Sequence, residues 1–390
     1  MKEPRTKLQA ARLAERWSQA RLMRIMRATA TREKIGELPN DRVLKTELSR
    51  WENGHKIPDE EPYRRLFRMI YGLTDEELGF PTDRTRTISS LVPKFGDPVI
   101  DYYGRLLQDH FRADSQMGPR HVLPIVEQQV KALMPLVREI RGKDRVPAVD
   151  LACRYQEFLG WLYQDSGQPE HAMVWTSRAY DLGLELGDRH VTSYLLMRRS
   201  NVASDAGDPA QALVLAEAAL RKDPAIQGTM KAVILRQQAH ASAALGDAHG
   251  CASAIDQAFE TLTLPDEVPT LARYCTPQYV AMEGGTCWLT LNRADRALAT
   301  FTQVPDAWPD DARRDHGLSL ARLAVAYAGA GELEEACRIG QQALSVVTVT
   351  ASARSILQLR QLRQQLRRWR RHPAASRLIA GIGSLMGDAT

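Results

Sequence analysis

The chain has 390 residues, of which 44% are hydrophobic and 25% charged, a balance typical of soluble globular proteins and long enough for two or three domains. No stretch approaches the roughly 18 apolar residues that a membrane span needs, and the charged N-terminus lacks the apolar core of a secretory signal. We therefore expect a cytoplasmic protein without membrane contact.

The net charge of +5 is concentrated near the N-terminus. Residues 1–90 contain 19 basic and 14 acidic residues, whereas the remaining 33 basic and 33 acidic residues cancel. Within residues 1–56 the balance reaches +7, with 14 basic against 7 acidic residues. This distribution is expected if the N-terminal region alone meets phosphate groups, although a solvated basic surface without a partner would have the same composition.

Apolar residues recur with the period of an α-helix almost everywhere, and strand patterns are nearly absent, which predicts an all-α fold. Five helices are predicted between residues 5 and 80. Ser18 is suited to cap the second of them, and the run from Thr74 to Glu77 has the capping-box pattern that would open the fifth.

Changes in composition divide the chain into segments. Residues 79–97 lose the helical period and gain Pro, Thr, Ser and Gly, which is typical of a linker. The predicted segments are an N-terminal domain over 1–80, a linker over 81–97, a helical connector over 98–147, a repeat domain over 148–350, and a C-terminal capping helix and tail over 351–390.

Five helix–turn–helix units repeat in the fourth segment. Their turn residues are spaced 40, 39, 46 and 39 apart and are Gly167, Gly207, Gly246, Asn292 and Gly331. Small residues follow five positions later (Ala172, Ala212, Cys251, Ala297, Ala336) and, in four units, twelve positions later (Ala179, Ala219, Ala258, Ala343). This pattern resembles tetratricopeptide repeats with slightly long periods, and implies an α-solenoid; a coincidental helical bundle is the alternative.

The segments WSQARL and LKTELSRWENGHKIPD resemble the helix-turn-helix domain of the Xre and phage-repressor family over residues 5–80. Leu48 and Trp51 are spaced to face inward from a short helix that Gly54 would end with a left-handed residue. In this family the outward face of that helix enters the major groove of DNA, so the resemblance implies a DNA-binding domain.

The resemblance assigns DNA contacts to individual residues. The implied base-reading set is Lys45, Thr46, Ser49 and Arg50, and the implied phosphate-contacting set is Gln19, Asn53 and Lys56. A guanidinium can reach guanine O6 and N7 together, and a hydroxyl can meet a base edge, whereas phosphate contacts position the domain without reading sequence.

Two further features bear on this domain. Arg12 and Glu52 occupy positions where the family has a partly buried ion pair. The stretch near Arg27–Asp41 makes the chain some fifteen residues longer than a compact family member and must lengthen the second helix or form a loop. That stretch carries Arg27, Arg32 and Lys34. These residues would either make additional phosphate contacts or belong to a helix face exposed to solvent.

The first helix of each repeat would line the concave face of the solenoid. The residues expected there to bind a ligand are Arg154, Glu157, Trp161, Gln164, Tyr194, Met197, Asn201, Arg236, His240 and Tyr279. Amide and guanidinium groups over an apolar floor suit an extended peptide. The two-part plan also resembles peptide-pheromone receptors of Gram-positive bacteria and related actinobacterial regulators, which implies a peptide or small-molecule signal; a protein helix or self-association is the alternative.

The C-terminal segment from residue 351 is rich in arginine and lacks acids up to residue 371. Leu359, Leu362 and Leu366 give it one apolar stripe, which favours a helix that caps the solenoid over a dimer contact or a second DNA contact.

Catalytic motifs such as GxSxG, HExxH and GxxxxGK[ST] are absent from the sequence, and the nine histidines do not cluster with acids at metal-ligand spacing. Five scattered cysteines without a CxxC pair are typical of buried structural thiols. We expect no enzyme activity, no cofactor and no metal.

Together these features indicate a transcription regulator that binds an inverted-repeat operator in double-stranded DNA as a homodimer and responds to a ligand in its repeat domain. A pure interaction scaffold controlled by a protein partner is the main alternative, and a toxin–antitoxin or phage-defence component is a third.

Overall fold

The computed structural model describes residues 4–33, 35, 38–58, 61–80, 97–262, 270–272, 274–303, 308 and 312–387. These residues form eighteen α-helices and three short 3-10 helices, with no strand among them, so the described chain is all-helical. The chain divides into two compact units, Met1–Lys94 and Phe95–Thr390. The predicted linker lies outside the described residues except for Asp97, the first residue of a helix.

The first unit contains four helices in its described part: α1 (Lys7–Ala14), α2 (Gln19–Arg32), α3 (Asp41–Glu52) and α4 (Glu61–Tyr71). They pack around a core of fully buried side chains, namely Leu22, Met26, Leu44, Leu48 and Phe67. The Ser18 hydroxyl accepts a hydrogen bond from the backbone amide of Arg21 and so caps α2 as predicted.

The prediction of a fifth helix that begins at Thr74 is wrong. Thr74 and Glu77 do form the reciprocal capping-box hydrogen bonds, at 2.8 Å and 3.3 Å. They close a single hydrogen-bonded turn, residues 75–79, which ends at Gly79 with φ of 76°. A capping box satisfies the first backbone amides of a helix but does not require that further turns follow it.

The second unit begins with a helix pair, α5 (Asp97–Met117) and α6 (Pro119–Glu139), and a 3-10 turn over Gly142–Asp144. Three further helix pairs follow: α7 (Arg145–Asp165) with α8 (Pro169–Leu186), α9 (Arg189–Asp205) with α10 (Pro209–Lys222), and α11 (Gly228–Ala244) with α12 (Ala248–Leu262).

The remaining elements follow a 3-10 turn over Thr270–Ala272. They are α13 (Pro277–Thr290) with α14 (Ala294–Thr302), α15 (Arg313–Ala330) with α16 (Leu333–Thr350), α17 (Ala353–Leu366), a 3-10 turn over Arg367–Trp369, and α18 (Pro373–Leu385).

The repeat pattern corresponds to five packed helix pairs, α7–α8 through α15–α16. All five predicted turn residues adopt left-handed backbone conformations, with φ between 56° and 92°, which glycine and asparagine tolerate best. The nine small residues that follow the turns are all buried with no exposed surface. Their small side chains let the paired helices approach closely, which is why the period was visible in the sequence.

The segment predicted as a connector is part of the second unit. Helix α5 packs against α7 at the start of the repeats and also against α15 and α16 at their end. Between α5 and α6, Gly118 has φ of 79°, and a Cβ atom added there would lie 1.7 Å from the carbonyl oxygen of Thr350. The first and last parts of the unit therefore meet, with room only for a glycine at the contact.

The C-terminal segment packs onto the last repeat. Leu359, Leu362 and Leu366 have no exposed surface, as expected for the apolar stripe of a capping helix. The capping helix α17 ends at Leu366. The predicted tail contains another helix, α18, which packs against α16 through Leu378 and Ile382.

Candidate functional site

One candidate site is the outer face of α3 in the first unit. Asn40 caps the start of this helix by accepting a hydrogen bond from the backbone amide of Val43, and Gly54 follows its end with φ of 76°. Leu44, Leu48 and Trp51 are buried in the core and fix the rotation of the helix. The opposite side of α3 therefore faces solvent.

The four predicted base-reading residues share this outer face. Lys45, Thr46 and Arg50 are exposed, and Ser49 is half-buried. The Thr46 hydroxyl donates to the backbone oxygen of Arg42 at 2.9 Å. Arg42 is exposed one helical turn before Thr46 and extends the same face, a cation that sequence reasoning missed although its i, i+4 spacing could have indicated it.

Glu47 also lies at this face and pairs with two of the predicted DNA-contacting cations. Its carboxylate oxygens are each 3.1 Å from a partner, Arg50 Nη1 and Lys56 Nζ. The hydrogen bond from Lys56 and the charge of both cations lower the pKa of Glu47, and burial opposes them only in part. This pairing was not expected from the sequence, and it reduces the positive charge that the face presents.

The predicted ion pair between Arg12 and Glu52 forms, and it is buried. Arg12 Nε and Nη2 donate to the two carboxylate oxygens of Glu52 at 2.6 Å and 2.9 Å, and Glu52 has no exposed surface. Gln19 Nε2 donates to the same carboxylate at 2.9 Å. These contacts join α1, the start of α2 and the end of α3, so they hold α3 in place within the unit.

The two remaining predictions for the first unit concern Asn53 and the stretch near Arg27–Asp41. Asn53 Nδ2 donates to the backbone oxygen of Ser49 at 2.7 Å, so this amide ends the helix and leaves its carbonyl oxygen near Arg5. The additional residues lengthen α2 to Arg32, and Lys34 lies outside the described residues. Arg27 pairs with Asp41 at 2.8 Å and donates to the backbone oxygens of Leu38 and Pro39, so it anchors the start of α3.

A second candidate site is a partly open cavity of about 510 Å³ in the second unit. Its lining comes from α5, α7, α9, the turn before α13, and the first turns of α13, α15 and α17. Six of the ten predicted ligand-binding residues line it: Arg154, Glu157, Trp161, Tyr194, Asn201 and Tyr279.

The other four predicted residues do not line this cavity and lie in the packing between helices instead. Gln164 Nε2 donates to Asp205 at 2.6 Å, Met197 has no exposed surface, and His240 Nε2 lies 2.5 Å from Glu283. Arg236 is buried, donates to Gln237 at 2.7 Å and stacks over Tyr279. The helix period places these residues on the inner face but cannot show which of them a neighbouring repeat covers.

Trp161 lines the cavity and is contacted by three arginines. The guanidinium carbons of Arg198, Arg314 and Arg354 lie 5.2, 4.7 and 4.5 Å from the centre of its ring. Its indole Nε1 donates to Asp114 Oδ2 at 2.9 Å. Cations over the face of an indole are attracted by its quadrupole, so this tryptophan organises residues from four different helices.

Each of these three arginines also pairs with an acid. Arg198 donates to Glu157 at 2.7 Å, Arg354 donates to Asp165 at 2.9 Å, and Arg314 pairs with Asp114. Burial raises the pKa of Asp114, although the adjacent Arg314 opposes that effect. The residues that line the cavity include five arginines (Arg112, Arg154, Arg198, Arg314, Arg354) and three acids (Asp114, Glu157, Asp315).

Several of these residues were missed by sequence reasoning. Asp114 belongs to the predicted connector, Arg314 to the start of the fifth repeat, and Arg354 to the predicted cap. No local pattern distinguishes them from surface charges, because their burial depends on contacts between segments about 200 residues apart in the chain. The site therefore forms only when the first and last helices of the second unit pack together.

The described residues define an all-helical protein whose second unit consists of repeated helix pairs around a charged, partly open cavity. None of the helices in the described part of the chain combines the length and the apolar character needed to cross a membrane. Neither a protein-family model nor a curated protein matches the sequence.

Among solved structures the chain is similar to BtubC (BKLC) from P. vanneervenii, with 17% identity, a TM-score of 0.39, and coverage of 57% of this chain and 89% of that one. It is similar to the apo form of RapI, with 10% identity, a TM-score of 0.38, and coverage of 74% and 76%. A third similar structure is a STAND signal-transduction ATPase with a tetratricopeptide repeat sensor from Pyrococcus horikoshii, with 14% identity, a TM-score of 0.39, and coverage of 92% and 54%. The chain spans about half the length of that ATPase, and at these TM-scores the likenesses assign no function.

Proposed function

We propose that this chain is a sequence-specific, DNA-binding transcription regulator, with a helix-turn-helix domain in its first unit and a ligand sensor in its second. The observation that carries the proposal is the orientation of α3. Leu48 and Trp51 are buried while Lys45, Thr46 and Arg50 are exposed on the other side, and the buried Arg12–Glu52 pair holds the helix in place. A braced helix with an exposed cationic and hydroxyl face suits the major groove.

The residues of α3 have complementary roles in this proposal. Arg50 reads guanine through O6 and N7, Lys45 reaches guanine or phosphate, and Thr46 meets a base edge or a thymine methyl group. Lys56, Asn53 and Gln19 contact phosphates and set the register of the domain. To reach the base, Arg50 must break its ion pair with Glu47. Glu47 can then accept a hydrogen bond from a cytosine amino group.

The regulator acts as a homodimer on an inverted repeat, with half-sites about one helical turn, roughly 34–36 Å, apart. A twofold axis in the protein then matches the twofold axis of the operator, and the half-site spacing reports the separation of the two reading helices.

The second unit would sense a signal through its cavity. A volume of about 510 Å³ lies within the range of small-molecule pockets, which is about 300–1,000 Å³. Helix α5 lines the cavity and begins directly after the segment that joins the two units, so a ligand that shifts α5 acts on the connection to the DNA-binding unit. A coupling of about 1–3 kcal/mol would change operator affinity about 5- to 150-fold. We propose binding without catalytic conversion.

The test begins with selection of duplexes from a random pool by the full chain, followed by titration of the selected duplex at several salt concentrations. Arg50→Ala should lose about 1–3 kcal/mol of binding and relax specificity at one base pair. Arg65→Ala removes an exposed arginine from α4 and is the matched control. Failure of the full chain to bind any duplex at low salt would overturn the proposal.

An interaction scaffold is the second candidate. Val43 on α3 and Ile57 after it are exposed apolar residues beside the proposed reading face, and such side chains suit a protein partner. Steep loss of duplex binding with added salt separates the two candidates, because only phosphate contacts release counterions from DNA.

A further inference from the structure

The charges of the cavity in the second unit indicate the chemical class of its ligand, an inference that rests on the proposed sensing function. We propose that the cavity binds a small organic anion, a carboxylate or a phosphate monoester carried on an apolar body, with Arg154 and Arg354 as its anion-binding residues.

The first step of the argument is the set of five arginines in the cavity wall, of which Arg112, Arg198, Arg314 and Arg354 pair with acids and Arg154 does not. Arg154 is half-buried, and its charge acts on Asp150 one helical turn earlier on α7, without an ion pair or hydrogen bond at contact distance to a described residue. Arg354 pairs with Asp165 through Nε at 2.9 Å and lies 3.7 Å from Asp315 through Nη2, but Nη2 is buried without a hydrogen bond to a described residue. A buried guanidinium donor without a partner is costly, and an anion supplies that partner.

The second step is the apolar part of the wall. Phe111 and Phe158 lie edge to face with ring centres 4.5 Å apart, and Tyr274 and Tyr279 meet at 5.2 Å in the same manner. All four line the cavity together with Trp161. Fixed aromatic faces next to guanidinium groups suit a ligand with an apolar body and one charged end.

The third step is the size of the chamber. Its volume of about 510 Å³ lies within the range of about 300–1,000 Å³ that is typical of pockets for a single small molecule. A small organic anion fits the volume.

Asp114 gives the proposal a prediction of definite sign. Asp114 is 2% exposed, lines the cavity and pairs with Arg314, while its Oδ1 makes no hydrogen bond to a described residue. An incoming anion competes with this carboxylate for Arg314 and is repelled by it. Removing the negative charge of Asp114 should therefore strengthen anion binding, whereas it would weaken binding of a cation.

The experiment uses the full chain in thermal unfolding and titration calorimetry. The carboxylate arm consists of benzoate, phenylacetate and indole-3-acetate, the phosphate arm is phenyl phosphate, and the neutral controls are the matching amides and phenol. At least one acid should raise Tm and bind in the calorimeter, while its neutral counterpart should not. The arm that responds identifies the anionic group. Equal responses to acids and neutral controls, or no response to either arm at millimolar concentration, would overturn the proposal.

Variants locate the binding in the cavity. Arg154→Gln should weaken binding of the responding acid by about tenfold, and it removes no ion pair that holds the fold together. Asp114→Asn should strengthen binding. Arg178→Gln is the matched control, because Arg178 stacks on Trp175 at 4.5 Å and does not line the cavity. Unchanged affinity in Arg154→Gln or weaker binding in Asp114→Asn would contradict the inference.

Duplex binding by the unliganded chain is measured with the same preparations. A chain that binds DNA but no acid would refute the anion inference and leave DNA binding intact. A chain that binds an acid without any change in its affinity for DNA would support the ligand class and refute its sensing role.

Discussion

Asp114 and Arg314, 200 residues apart in the sequence, form a buried ion pair inside the second unit. Asp114 lies near the end of α5, and Arg314 lies in the first turn of α15. The same carboxylate accepts the indole hydrogen of Trp161 on α7. This one side chain therefore connects the helix that precedes the repeats, the first repeat and the last repeat.

Arg314→Met should destabilise the second unit by about 3–5 kcal/mol, because it leaves Asp114 buried without its cation. The expected result is a lower Tm in calorimetry or circular dichroism. Arg313→Met changes the neighbouring, exposed arginine and should leave Tm nearly unchanged. Equal effects of the two variants would contradict a structural role for the Asp114–Arg314 pair.

Gly118→Ala should be far more destabilising than Gly142→Ala, although the two glycines have similar φ values of 79° and 71°. A Cβ atom at Gly118 would lie 1.7 Å from the carbonyl oxygen of Thr350, whereas no atom lies within 4 Å of one at Gly142. Gly142→Ala should cost only the left-handed backbone strain, about 1–2 kcal/mol. Chemical unfolding of both variants measures the difference, and similar midpoints would show that the two ends of the unit do not meet.

The repeated helix pairs were predictable because their signals are local. A left-handed turn residue such as Gly207 and a small residue such as Ala212 satisfy steric requirements within one helix pair, so each pair has the same pattern. The exposed face of α3 was predictable for the same reason, since the burial of Leu48 and Trp51 follows the helical period.

The closure of the second unit was not predictable from such patterns. Helix α5 has the period of an ordinary amphipathic helix, and nothing in that period indicates that Asp114 meets Arg314. The pairing of Glu47 with Arg50 and Lys56 was missed for a related reason, because side-chain pairing within one exposed face leaves the apolar pattern unchanged.

Glu283→Gln should reduce stability by about 3–5 kcal/mol at neutral pH, because Glu283 is buried against Arg322 at 2.7 Å and His240 at 2.5 Å. Burial alone would raise the pKa of Glu283, but Arg322, His240 and Arg236 outweigh burial and hold that pKa well below the ordinary value of 4.5. The stabilisation by this carboxylate is therefore complete above that ordinary value and is lost as the pH falls through the lower, folded-state pKa.

The difference in unfolding free energy between the wild-type chain and Glu283→Gln should accordingly shrink as the pH is lowered from neutral into the acid range below 4.5. Urea unfolding at several pH values measures this trend. Glu217→Gln removes one partner of an exposed pair with Arg221 and should change stability little at any pH. A difference between wild type and Glu283→Gln that grows on acidification would refute the assigned sign.

Glu47→Gln should strengthen duplex binding, because it removes the carboxylate that pairs with Arg50 and Lys56 and repels phosphate groups. Both cations would then be available to DNA, and the salt dependence of binding should become steeper.

If Glu47 also accepts a hydrogen bond from a cytosine, the variant should lose about 1–3 kcal/mol of discrimination at that base pair while it gains affinity for the others. Titration of the selected duplex and of its single-base variants separates these two effects. Glu217→Gln removes the same charge from an exposed pair with Arg221 in the second unit and should change neither affinity nor specificity. Weaker binding of every duplex by Glu47→Gln would mean that the Glu47 pairs preorganise the face, and the repulsive role argued for this carboxylate would be wrong.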